Sequence, residues 1–234
     1  MERLDKVLAG TGRWSRREVK DLVRQGRVRI DGMTARTAEE KLDPDAAAIS
    51  VDGQPVETER FTYVMLHKPA GVLSATEDSR QSTVLDLLPP ELRKRGLSPV
   101  GRLDKDTEGL LLLTNDGALA HRLLSPKSHV DKVYYARVEG TLEPADTAAF
   151  AAGMTLGDGL CCLPAGLEIL SPGEALVTLR EGKFHQVKRM FHSLGNNVVF
   201  LKRTAIGALA LDPSLALGEC LEILHKDVEK LLAR

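Results

Sequence analysis

The chain has 234 residues, 43% of them hydrophobic and 28% charged, with a formal net charge of −1. That composition excludes a disordered polymer and leaves room for one large domain or a medium domain with a small companion. No apolar run approaches the roughly 18–20 residues that cross a bilayer, and the charged start Met1-Glu2-Arg3-Leu4-Asp5-Lys6 lacks the apolar segment of a secretory leader, so a cytoplasmic protein without a membrane partner is expected. The small net charge conceals a polarity along the chain. Residues 1–30 carry nine Lys and Arg against four acids, whereas residues 31–60 carry three against eight. Leu4, Val7 and Leu8 recur at helical spacing, and Ser15 with Glu18 forms a capping-box pattern. A second helix is therefore predicted, with Val19, Leu22 and Val23 as its buried stripe and Gly26 as its end. Arg27-Val28-Arg29-Ile30 alternates like a half-buried strand, and Asp31-Gly32 supplies a hairpin turn.

Arg13, Arg16, Arg17 and Lys20 cluster around the start of the second helix, where basic side chains and free amide groups suit phosphate. Residues 1 to about 50 resemble an S4 domain, a small RNA-binding module. The polar, Gly- and Pro-containing stretch 52–60 reads as a connector. The expected organisation is an S4-like domain at 1–55, a linker at 56–60 and a larger domain at 61–234. In that domain Phe61–Leu66 is predicted as a strand ending at the loop His67-Lys68-Pro69-Ala70-Gly71-Val72, where Lys68 is expected to meet phosphate. Pro89-Pro90 and Ser98-Pro99 interrupt the chain further on.

Gly101-Arg102-Leu103-Asp104-Lys105-Asp106-Thr107-Glu108-Gly109 places three carboxylates and an arginine between two glycines. The next four leucines, 110–113, are bounded by Thr114-Asn115-Asp116-Gly117 and suit a strand covered on both faces. The acids thus stand just outside a core, where a carboxylate can be held rigidly. On pattern alone Asp104, Asp106 and Glu108 are equivalent. A short helix with Leu119, Leu123 and Leu124 follows, up to Ser125-Pro126. Lys132–Val138 alternates as a strand, so Tyr134 and Tyr135 point to opposite faces and only one can face a cleft. Pro144–Ala152 is predicted as a helix closed by Gly153, and Ala175–Leu179 as a strand. Glu181–Gly195 is predicted as a two-faced helix, with Val187, Met190, Phe191 and Leu194 on one stripe and His185, Lys188, Arg189 and His192 on another. Residues 180–203 carry six Lys and Arg against Glu181 alone.

Other chemistries lack their residues. The chain has no phosphate-binding GxxxxGK[ST], no strand-linked GxGxxG, no GxSxG, no HExxH and no deaminase zinc signature. Cys161, Cys162 and Cys220 form neither a CxxC pair nor an even set, so reduced packing cysteines are expected. His185 and His192 lack a third ligand at usual spacing, and neither a metal nor a cofactor is expected.

Three motifs then carry a resemblance across essentially the whole chain: His67-Lys68-Pro69-x-Gly71, Gly101-Arg102-Leu103-Asp104-x-Asp106-Thr107-x-Gly109-Leu110, and Glu181-Gly182-x-x-His185-Gln186-Val187-Lys188-Arg189-Met190. With Lys132-Val133-Tyr134 they resemble the pseudouridine synthases of the ribosomal small-subunit type. The resemblance implies an α+β fold with a mixed or antiparallel sheet flanked by helices. It implies conversion of a specific uridine in 16S rRNA to pseudouridine, by a monomer acting on free rRNA or a small-subunit assembly intermediate. Asp104 would be the nucleophile, Lys188 its partner, Tyr134 the cleft tyrosine, and Arg102 would stabilise the space left by an extruded uridine. Arg13, Arg16, Arg17, Lys20, Lys68, His185, Gln186 and Arg189 would contact RNA. A large-subunit target, a non-catalytic ribosome-assembly factor, and a glycoside hydrolase using Asp106 or Glu108 as second carboxyl are the alternatives.

Overall fold

The structure is a computed structural model that describes residues 1–44, 46–56, 61–125, 130–224, 227, 228 and 231. It contains two compact units: Met1–Thr62 with Leu88–Ser98 and Thr114–Asp116, and Tyr63–Leu87 with Pro99–Leu113 and Gly117–Arg234.

In the first unit, β1 (Glu2–Arg3) leads into α1 (Leu4–Gly10), and α2 (Arg16–Arg24) follows. The capping box forms as its residues require: the Glu18 amide donates to Ser15 Oγ at 3.2 Å and the Ser15 amide to the Glu18 carboxylate at 2.6 Å. Leu4, Leu8, Val19, Leu22 and Val23 are buried together against β2 (Val28–Ile30) and β5 (Ile49–Val51). β3 (Met33–Thr34), β2, β5 and β6 (Gln54–Pro55) make a four-stranded sheet in that order, while β1 pairs with β4 (Lys41–Leu42). Asp31 and Gly32 turn from β2 into β3 with φ of 50° and 80°, as Asp-Gly in a two-residue hairpin demands.

Asp52 and Gly53 repeat that geometry, with φ of 53° and 76°. The stretch from 52 expected as connector therefore begins as a hairpin: Gln54–Pro55 pairs with β5, and Val56 is buried in the core. Residues 57–60 of the expected linker lie outside the described residues. Three side-chain bonds tie later segments into this unit. The Thr62 amide donates to Asn115 Oδ1, Thr114 Oγ1 donates to the Thr62 carbonyl, and Asn115 Nδ2 donates to the Arg95 carbonyl. α3 (Pro90–Arg93) belongs here too.

The second unit is built on a mixed sheet. β7 (Tyr63–Lys68), β8 (Ser98–Pro99), β9 (Glu108–Thr114), β10 (Lys132–Val138), β11 (Gly166–Ser171), β12 (Glu174–Leu179), β13 (Val198–Ile206), β14 (Leu209–Ala210) and β15 (Cys220–Glu222) form it. The order is β11-β12-β10-β13-β9-β7-β15, with β14 beside β13 and β8 beside β9. β10 is antiparallel to both β12 and β13, and β13 runs parallel to β9. Leu110–Leu113 are wholly buried, as a strand covered on both faces should be. Gly109 has a φ of +107°, and a Cβ there would run into the backbone of Arg203, so only glycine lets β9 lie this close to β13.

α4 (Gly117–Leu124), α5 (Pro144–Ala152) and α6 (Gln186–Ser193) complete the unit. Phe150 of α5 and Phe191 of α6 meet with ring centroids 5.1 Å apart. Several elements depart from expectation. β7 continues through His67 and Lys68. Leu124 is exposed while Leu119 and Leu123 are buried, and Pro126 lies outside the described residues. α6 starts only at Gln186, because His185 is left-handed with φ of 49°, and residues 181–185 form a loop. Cys161 is exposed rather than packed.

Candidate active site

The loop between Gly101 and Thr107 is suspended from a buried ammonium. Lys68, at the end of β7, is 0% exposed, and its Nζ donates to the carbonyls of Pro69, Asp104, Lys105 and Thr107 at 2.9–3.2 Å. Lys68 therefore cannot meet phosphate as expected: no face of it reaches solvent, and its protons are spent on the loop. Burial pushes its pKa down to about 8, with Asp106, Asp104 and Glu108 pulling the other way. Ser74 closes the other side of the loop, accepting from the Leu103 amide at 3.1 Å and donating to the Leu103 carbonyl at 2.9 Å. The Gly71 amide adds a bond to the Lys105 carbonyl at 2.7 Å.

Asp104 is thereby presented with its side chain 26% exposed. Lys188 Nζ lies 3.4 Å from one carboxylate oxygen and His185 Nε2 3.6 Å from the other. Asp104 and Lys188 are together as expected, and His185, expected at RNA, joins them, but the ammonium is shared: Lys188 is 2.5 Å from Asp106 Oδ1. Burial pushes the Asp106 carboxyl up, and the hydrogen bond and charge of Lys188 outweigh it, holding the pKa below the ordinary value. His185 comes to the carboxylate from its left-handed position while its ring stacks on Phe184 at 3.8 Å. Phe184 is 75% exposed, a feature not anticipated from the sequence.

Tyr134, 8% exposed, and Asp104 line the same cavity of about 70 Å3. Tyr135 points to the other face and meets Phe200 edge-on at 6.1 Å. The choice between the two tyrosines, open from alternation, is thus made by the sheet. Arg102 is exposed at this small cavity and at a larger one of about 340 Å3, which also shares Tyr134, Gly182 and Lys183 with it. The larger cavity includes Lys132, part of the Lys132-Val133-Tyr134 motif, and Arg203, which the sequence showed only as positive charge. Burial, then the Arg203 charge, lower the Lys132 pKa, against Asp131.

The expected RNA contacts separate. Gln186 is buried, its Oε1 accepting from the Lys183 amide at 3.0 Å and its Nε2 donating to Glu181 at 2.6 Å, so it braces the 181–185 loop instead of meeting RNA. Arg189 pairs with Asp158 and donates to the Phe184 carbonyl. In the other unit Arg13 lies 4.5 Å over the Trp14 ring, Lys20 pairs with Glu39 at 3.2 Å, and Arg16 and Arg17 are exposed on the first turn of α2. Among the described residues no group of three His, Cys, Asp or Glu is placed to hold a metal, and no helix is long and apolar enough to cross a membrane.

Comparison with known proteins gives two family matches: residues 62–193 match the RNA pseudouridylate synthase model and residues 2–47 the S4 domain model. An uncharacterised RNA pseudouridine synthase of Bacillus subtilis is 49% identical, covering 98% of each chain. The ribosomal small subunit pseudouridine synthase A of Pseudomonas aeruginosa is 42% identical over 92% of this chain and 94% of its own. A crystal structure of a pseudouridylate synthase superposes with a TM-score of 0.70 at 36% identity, covering 99% of this chain and 100% of that one.

Proposed function

Because the chain belongs to the RNA pseudouridine synthase family and carries an S4 domain, we propose that it isomerises one uridine of 16S rRNA, with Asp104 as nucleophile. The observation that carries the residue assignment is the suspended loop: Asp104 projects from a backbone held at its own carbonyl, with Lys188 and His185 on its two oxygens and Tyr134 in the same cavity. The relatives named as acting on the small ribosomal subunit support the choice of 16S rRNA.

The reaction breaks the bond between ribose C1′ and uracil N1, turns the base, and joins C5 to C1′. A carboxylate must be ionised to act in this sequence, and a cation at ion-pair distance favours that form. Lys188 supplies the charge, and Asp106 competes for it. Tyr134 offers a ring for the base to stack on. Stacked RNA hides the target atoms, so the uridine has to be extruded at a cost of a few kcal/mol, which phosphate contacts offset. In this reading Arg102, exposed where it lines the cavity, fills the gap left in the stack. Arg13, Arg16 and Arg17 supply phosphate contacts in the S4 domain, and the cytoplasm is where ribosomal RNA is met.

Two measurements test the proposal. Sequencing of rRNA from a deletion strain is expected to lose pseudouridine at one 16S position, and loss at a 23S position instead would overturn the substrate. RNA tritiated at uracil C5 is expected to release tritium with the wild type and not with Asp104→Asn. Full release by that variant would remove Asp104 from the mechanism.

A further inference from the structure

Directly across the sheet from Tyr134 sits a guanidinium that nothing in the described protein neutralises. Arg203 on β13 is the register partner of Tyr134 on β10, so both side chains rise from one face. Arg203 is 2% exposed; its Nε donates to the Leu110 carbonyl at 2.8 Å, while its Nη2 is buried without an acceptor. Lys132 stands two residues before Tyr134 on the same strand, hence on the same face, and among the described residues its Nζ reaches only the Val130 carbonyl, at 3.1 Å. Both cations line the cavity of about 340 Å3. The neighbouring carboxylates are engaged elsewhere, Asp131 with Arg180 at 2.8 Å and Glu181 with Lys183 at 2.9 Å.

Two adjacent cations, one almost wholly buried and without a counter-charge among the described residues, are strongly unfavourable unless an anion joins them. The depth of Arg203 decides which part of an RNA that is. Phosphates stay on the outside of the strand and meet cations at a rim, whereas an extruded base is the part of the nucleotide that goes deepest. Building on the reading that uridine enters this cleft, we propose that Arg203, assisted by Lys132, holds the carbonyl edge of the target uracil and stabilises the negative charge the base acquires when it leaves ribose.

The chemistry requires such a group. When the C1′–N1 bond breaks, its electron pair stays on N1, and the charge spreads to O2 and, through C6=C5, to O4. A fixed donor pair at the carbonyl edge stabilises that anion more than the neutral nucleoside, which lowers the barrier. A half-turn about the N3–C6 axis puts C5 where N1 was and exchanges O2 with O4, so the same donors meet a carbonyl oxygen before and after rotation. C5 then bonds to C1′, loses its proton, and N1 takes one up; atoms and electrons balance without a co-reactant.

The test is single-turnover pseudouridine formation by Arg203→Met, Arg203→Lys and Lys132→Met on the rRNA that the wild type modifies. Arg203→Met is expected to slow the reaction roughly 100-fold or more with RNA affinity within about threefold, and Arg203→Lys to recover most of the rate. The deciding comparison uses RNA with 5-fluorouridine at the target; its C5 has no proton to lose, so on both substrates the rate is read as loss of the N1-linked nucleoside rather than as pseudouridine. Fluorine makes the base a better anion by itself, so the deficit of the methionine variants is expected to shrink about tenfold. An equal deficit on both substrates, or a wild-type rate for Arg203→Met, overturns the assignment. If Arg203→Met fails to fold by circular dichroism, the less buried Lys132→Met carries the same comparison. Wild-type conversion of the uridine substrate, measured alongside, separates failure of this assignment from failure of the underlying function.

Discussion

Replacing Lys68 by methionine isolates the role of the buried ammonium, because the side chain keeps nearly its volume and loses only its donors. Four carbonyls surround Nζ, so its three protons are all used and one is shared. Charge-assisted bonds contribute about 1.5–3 kcal/mol each, so three lost bonds remove roughly 4–9 kcal/mol. Keeping the ammonium protonated when its pKa falls from 10.5 to about 8 costs about 3 kcal/mol, which the variant recovers. The net expectation is a loss of about 1–6 kcal/mol, at roughly 2–4 °C in Tm per kcal/mol for a chain of this size. The Asp104 carbonyl is one of the four acceptors, and if Asp104 is the nucleophile as proposed, a displacement of about 1 Å there costs roughly 100-fold in rate. Thermal melts, tritium release and RNA binding across salt concentrations read the three effects. Lys68→Met is expected to melt early and turn over slowly with an unchanged salt slope. An unchanged Tm with a salt slope shallower by about 1 would refute the reasoning and make Lys68 a phosphate contact.

The pH dependence of stability follows from the same group. Between about 8 and 10.5 the unfolded chain holds the Lys68 proton that the folded chain has released, so the penalty is full below 8 and is relieved as pH rises through that window. Denaturant titrations of wild type and Lys68→Met should therefore differ in slope there, and parallel curves would contradict it. Gly109→Ala places a Cβ against the Arg203 backbone at a φ of +107°, and is expected to cost about 3 kcal/mol or more by separating β9 from β13; an unshifted Tm would refute that packing. Arg16→Ala and Arg17→Ala are each expected to weaken rRNA binding and reduce its salt slope by about 1, with Tm and the catalytic step unaltered; unchanged slopes would remove α2 from the RNA interface.

The sequence by itself determined the features that rest on neighbours a few residues away. The Ser15 and Glu18 box, the Asp31-Gly32 turn and the buried Leu110–Leu113 strand are products of local spacing and of φ preferences, and all three formed as read. The family was legible because its motifs are contiguous. Asp52-Gly53 carried the same turn signal as Asp31-Gly32, but the polar residues after it read as a connector until β6 was seen to pair with β5. Only the tertiary structure decided what each charge meets. Lys68 looked free for phosphate and is the hub of the 101–107 loop; Gln186 looked free for RNA and braces a turn; Lys188 is divided between Asp104 and Asp106. Arg203 counted as one positive charge among six and proves to be a buried cation facing the cleft tyrosine. A side chain's burial and partner depend on segments brought together from 36, 82 or 93 residues away, and no local periodicity encodes them.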